Sequence, residues 1–221
     1  MTHADLATVR TGLAREPLPP PPPEPMTVEE YLAYCAIARP DGKKWELIEG
    51  KIVAQDSATD WHQVIVGNVV ALLSNECMRL GATWTPLPGI GTRVPSSPKS
   101  LPEPDVMVKE HPLTGLRETT DGLVLFEVHD SLLARSRHAN PARVISNRPK
   151  DKRWKLEHYQ SVANCRHFVT IEQDRPLVAR HDRADGWRGV ALDRLDDTLA
   201  LPARGVALPL RAIYWRTPVA G

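Results

Sequence analysis

Two apolar stretches constrain this chain most: PEPDVMVKE at 102–110 and GLVLFEVH at 122–129. Each reads as a buried strand, and each carries one carboxylate near its end, Asp105 on the first and Glu127 on the second. A charge in an apolar strand core is costly unless something pairs it. Two carboxylates side by side repel by about 4 kcal/mol at 4 Å and an effective dielectric of 20. A divalent cation removes that cost, so the pattern points to a metal site and, through it, to phosphodiester chemistry.

The chain has 221 residues, enough for one domain with its own core. With 42% hydrophobic and 25% charged residues, it has the composition of a soluble globular protein. A net charge of +1 argues against wholesale polyanion binding but leaves room for a local basic patch. No apolar run approaches a membrane span, and the first residues lack the apolar segment of a secretory signal. Cys35, Cys77 and Cys165 are scattered and odd in number, which suits reduced thiols in a cytoplasmic protein.

Residues 1–25 end in PLPPPPPEP, read as a disordered or polyproline spacer, with the folded domain expected over 26–216. A later translation start at Met26 is compatible with that boundary. Thr27 and Glu30 form a capping box for the helix VEEYLAYCAIA, which ends before the turn signal Pro40-Asp41-Gly42. WELIEGKIVA alternates around Glu49-Gly50 as a hairpin, and Glu46 shares a face with Ile48, either at a solvated edge or in a site. Residues 59–80 make a long helix with Val66, Val69, Val70, Leu73 and Leu80 on its apolar face, a cap at Thr59 or Asp60, and a stop at Gly81. His62 sits in its first turn, where a structural role is the plainer reading.

Short strands follow near 82–85 and 92–94, separated by a Pro-Leu-Pro-Gly turn. Residues 131–150 form a basic insertion with five Lys/Arg and no acid, either a phosphate-facing flap or a solvated loop. From Asp151, KRWKLEHYQSV reads as a helix with Trp154, Leu156, Tyr159 and Val162 on its apolar surface. HFVTIEQD gives a strand, PLVARHDR and GWRGVAL pair across Ala184-Asp185-Gly186, 198–206 is turn-rich with room for a strand, and ALPLRAIYW ends in a short helix.

Taken in order, MTVEEYLAY, WELIEGKIV, His62, EPDVMV, LVLFEV and KLEHYQSVANCRHFVTIEQD resemble the Uma-two family of restriction-endonuclease-like proteins, in the PD-(D/E)xK nuclease superfamily. No one piece is specific; their collinear order over 26–215 carries the resemblance. It implies an α+β fold with an α/β-type core: a restriction endonuclease-like mixed β-sheet flanked by helices, with an N-terminal helix and hairpin. Pro104 and Asp105 match the PD motif, and Glu127 matches the acid of the second motif. Strict spacing would place lysine at 129, where this chain has His129; Lys155 matches a lysine supplied from the following helix, with Lys152 as its competitor. Glu46 matches the acid of the hairpin, and His62 a histidine at the start of the long helix.

The resemblance implies a Mg²⁺- or Mn²⁺-dependent DNA endonuclease, a cytoplasmic homodimer with no membrane and no organic cofactor. Asp105, Glu127 and the Val128 carbonyl would hold one ion, and Glu46 would act through water or a second ion. Lys155 would orient the attacking water, with His62, Lys152 and His129 as site support. The segment after Glu127 departs from the family pattern. It leaves a second reading open: a catalytically impaired nuclease-fold module that binds nucleic acid or another partner. Hydrolysis of some other phosphoester is a third.

Overall fold

The computed structural model describes residues 19–38, 44–55, 57–130 and 149–221. Most of the Pro-rich segment (1–18), the stretch at 39–43 that holds the expected turn, and nearly all of the basic insertion (131–148) lie outside the described residues.

The first helix, α1 (Val28–Ile37), starts as its capping box requires: Glu30 N–H donates to Thr27 Oγ1, and Thr27 N–H donates to Glu30 Oε2. Strands β1 (Trp45–Ile48) and β2 (Lys51–Ala54) form the expected hairpin. Its two-residue turn has Glu49 at φ +52° and Gly50 at φ +78°, the all-positive geometry that matches strand twist. Leu47 and Leu101 exchange backbone hydrogen bonds, Gly50 N–H donates to Lys99 O, and Met26 N–H donates to Gly50 O. A small core of Met26, Val28, Tyr31, Cys35, Leu47 and Leu101 fills the space beneath. The hairpin is thus pinned to the segment that runs into Asp105.

Helix α2 (Asp60–Leu80) is capped by Thr59, whose Oγ1 accepts from His62 N–H, and stops at Gly81 in the left-handed conformation. Its buried stripe is Ile65, Val69 and Leu73, with Val66 and Val70 half-buried. Leu80, expected on the apolar face, is instead exposed in the last turn. Strands β3 (Trp84–Pro88), β4 (Gly91–Thr92), β5 (Val106–Glu110), β6 (Glu118–Thr119) and β7 (Gly122–His129) follow, then α3 (Pro149–Tyr159), β8 (His167–Glu172), β9 (Val178–Asp182) and β10 (Gly189–Leu192). The chain ends with the hairpin β11 (Thr198–Leu201) and β12 (Val206–Pro209) and the short helix α4 (Leu210–Ile213).

Six strands make one mixed sheet in the order β10-β9-β8-β7-β5-β3, with β7 and β8 parallel and the other pairs antiparallel. All eight residues of the central β7 are buried. Alternation sends Val124, Phe126 and Val128 to the core shared with α2, and Leu125 to a second core with Met107, Phe168 and Tyr159 under α3. Pro86 and Pro88, read from sequence as a turn, lie inside β3 opposite Val108 and Val106. β3 is an edge strand, where a residue with no N–H to give the ladder is tolerated. No helix among the described residues is long and apolar enough to cross a membrane.

A Cβ added at Gly50 would meet Pro25 Cβ at 2.5 Å and Pro25 Cα at 2.9 Å, on a backbone already at positive φ. Gly50→Ala should therefore destabilise by about 2 kcal/mol or more, lowering the melting temperature by roughly 5 °C or more. Gly186→Ala is the control: φ is +64° but the surrounding space is open, so its cost should stay near 1 kcal/mol. Equal losses in thermal unfolding would show that the contact with Pro25 does not hold the hairpin.

Candidate active site

The pinned hairpin delivers Glu46 to the end of the main sheet. One carboxylate oxygen accepts from Glu103 N–H at 2.7 Å, and the other from the Gln55 side chain. Gln55 is held by its own N–H donating to Lys44 O at 2.8 Å, across the open end of the hairpin. Asp105 stands just before β5, where its N–H donates to Phe126 O and extends the pairing toward Glu127. Its Oδ2 accepts from Val128 N–H at 2.8 Å, while Oδ1 lies 3.2 Å from Lys44 Nζ and 3.4 Å from His62 Nε2.

Helix α3 supplies the counter-charge. Lys155 Nζ lies 2.8 Å from Glu127 Oε1 and 3.1 Å from Glu46 Oε1, and Tyr159, one turn on, donates its hydroxyl to the same Glu127 oxygen at 2.9 Å. Glu46, Glu127, Lys155 and Tyr159 are all buried. Lys152, the competitor, turns instead to Glu172 at the end of β8. His129 emerges two residues after Glu127 on the same face of the sheet, opposite Glu172 in the strand register. Both His129 Nε2 and Glu172 Oε2 are buried without a hydrogen-bond partner among the described residues.

The structure therefore brings Glu46, Asp105, Glu127 and Lys155 together with His62, and sets Lys152 and His129 at the flank. Lys44, Gln55 and the Tyr159 hydroxyl join the site without having stood out in the sequence. Lys44 and Glu46 are two apart on an extended segment, and Lys155 and Tyr159 are four apart on a helix. Those spacings were the available signals.

Three acids, Glu46 and Glu127 buried and Asp105 half-buried, face two ammonium groups, and the charge balance shows at Glu127, Asp105 and Lys155. Burial pushes the Glu127 carboxyl up to about 7: the nearby Asp105 and Glu46 charges add to the rise, and Lys155 only partly opposes it. Burial also raises Asp105, but Lys44 and His62 outweigh it and hold that carboxyl well below the usual range. Burial lowers Lys155, yet Glu127 and Glu46 more than compensate and keep it charged. Burial, then Lys152 and Lys155, drive His129 well below the ordinary imidazole value, so its ring is neutral.

Among the described residues, no three His, Cys, Asp or Glu side chains stand close enough together to cage an ion. The donors still suit a hard cation of the Mg²⁺ type, which keeps several waters and needs only one or two carboxylates from the protein. The excess of buried negative charge and the raised Glu127 carboxyl are what such a cation would relieve.

A family model described as "Putative restriction endonuclease", Uma2, matches residues 28–211. No curated protein matches the sequence. Among solved structures, the chain is similar to a protein from Anabaena variabilis ATCC 29413, described as a putative nuclease belonging to DUF820. The TM-score is 0.61 at 14% identity, over 86% of this chain and 97% of that one. At that identity the likeness speaks for the fold, a mixed sheet flanked by helices. The family match spans most of the sequence, from α1 into α4, and encloses every acid and lysine of the site: this chain belongs to the Uma2 family.

Proposed function

We propose that this protein is a metal-dependent endonuclease that hydrolyses phosphodiester bonds in DNA. One observation carries the reading: Glu46, Asp105, Glu127 and Lys155, far apart in sequence, converge at one end of the sheet. Asp105, Glu127 and the Val128 carbonyl would hold Mg²⁺ or Mn²⁺, with Glu46 acting through a water or a second ion. The bound cation would supply an acidified water and neutralise charge on the phosphate.

The chain's own groups would do the rest. Lys155 orients the attacking water and offsets charge as the water oxygen bonds to phosphorus, its proton passing to solvent, while the bond to the leaving sugar oxygen breaks and that oxygen takes a proton from solvent. Tyr159 fixes Glu127 in one rotamer. His62 steadies Asp105 and is assigned no proton transfer. A homodimer, with one strand cut by each copy, belongs to this proposal.

The second reading, a nuclease fold without catalysis, is favoured by two observations. The acids already have ammonium partners, and His129 occupies the position that strict E-x-K spacing gives to lysine.

Plasmid nicking in Mg²⁺ or Mn²⁺ separates the two. The parent should nick, and Asp105→Ala and Glu127→Ala should each lose at least about 10²-fold in rate while keeping a native circular-dichroism spectrum. Variants that cut as well as the parent would place the chemistry elsewhere; a silent parent would leave the binding-module reading.

The buried charge makes a separate prediction. A carboxyl raised from 4.5 to about 7 on folding contributes stability below pH 4.5 that is lost as pH rises through 7. Glu127→Gln removes this dependence. Relative to that variant, the parent should lose up to about 3 kcal/mol between pH 4.5 and pH 8 without added metal. Denaturant titrations at several pH values would measure it, and parallel curves for the two proteins would contradict it.

A further inference from the structure

We infer that Lys44 is a substrate-contacting residue that shares Asp105 with the metal. Its ammonium competes with the cation for that carboxylate and moves to a phosphate of the nucleic acid when the cation is in place. The inference rests on the metal-dependent nuclease reading above.

Lys44 Nζ lies 3.2 Å from Asp105 Oδ1, the oxygen that also faces His62. A divalent ion on Asp105 and an ammonium at that distance would repel each other, and the denser charge takes the oxygen. The lysine cannot travel far. Its carbonyl accepts from Gln55 N–H at 2.8 Å, and the next residue begins β1, which is paired along its length with β2. The ammonium can therefore only swing on its four-carbon stem, and its side chain, 30% exposed, already reaches the mouth of the site.

Among the described residues, the two other acids of the site are already engaged. Glu46 is engaged by Gln55, Glu103 N–H and Lys155, and Glu127 by Lys155 and Tyr159. A phosphate oxygen arriving at the cation would bring an anion within the swing of the stem. Lys155 is placed differently: it is 10% exposed and bridges two buried acids, so it stays where it is. The site then has one fixed ammonium for the reacting group and one mobile ammonium for holding the strand.

The test uses the full chain, Lys44→Met and Lys44→Gln, with two readouts other than cleavage. In calorimetric titration with Mn²⁺ alone, both variants should bind the ion roughly tenfold more tightly than the parent, because a competing charge has gone. In DNA binding with Ca²⁺, the slope of log K against log salt should fall by about 0.9 in magnitude in both variants, the signature of one lost phosphate contact. Unchanged or weaker Mn²⁺ binding in folded variants, or an unchanged salt slope, overturns the inference while leaving the nuclease reading intact. A parent that shows no saturable Mn²⁺ binding overturns both.

Discussion

The site depends on the buried Lys155 ammonium held between Glu46 and Glu127. Glu46 belongs to a hairpin that is not part of the main sheet, Glu127 to the sheet's central strand, and Lys155 to the helix that covers one face. One charge thus ties three separately built pieces together. Removing the lysine from such a group leaves uncompensated carboxylate charge inside, at a cost of about 3–5 kcal/mol. The pieces are therefore held in register by the same side chains that make the site.

The fold works to keep that arrangement. The hairpin is anchored by the Leu47–Leu101 backbone exchange and by Gly50, which alone fits against Pro25. These anchors lie within a few residues of Glu46 and Asp105, so backbone hydrogen bonds of little individual energy set the spacing of two carboxylates. On the other side, the ring of Tyr159 packs in the core with Phe168 and Met107 while its hydroxyl reaches Glu127. A buried aromatic with a satisfied hydroxyl links core packing to the orientation of a functional acid.

Features set by near neighbours in sequence were readable from it. The Thr27–Glu30 capping box, the Glu49-Gly50 turn, the Thr59 cap and the stop at Gly81 need only a few consecutive residues, and all four stand in the structure. Asp105 and Glu127 stood out because a charge in an apolar strand is conspicuous. What local pattern could not resolve depended on where distant pieces meet. Pro86 and Pro88 looked like a turn because their tolerance comes from β3 being at an edge, a property of the whole sheet. Lys152 and Lys155 are both polar positions on α3, and only the docking angle of that helix sends one to Glu172 and the other to Glu127. Lys44 and Gln55 looked like ordinary hairpin ends until the hairpin was seen to close over Asp105.

Diffraction from crystals of the full chain soaked in Mn²⁺, read through the anomalous signal of the metal, tests the central claim most directly. A peak touching Asp105 and Glu127 at the end of β7, with the Val128 carbonyl in its coordination sphere, is the expected result. A saturating soak that leaves those carboxylates metal-free in their pairs with Lys44 and Lys155, or a peak on other residues, would contradict it.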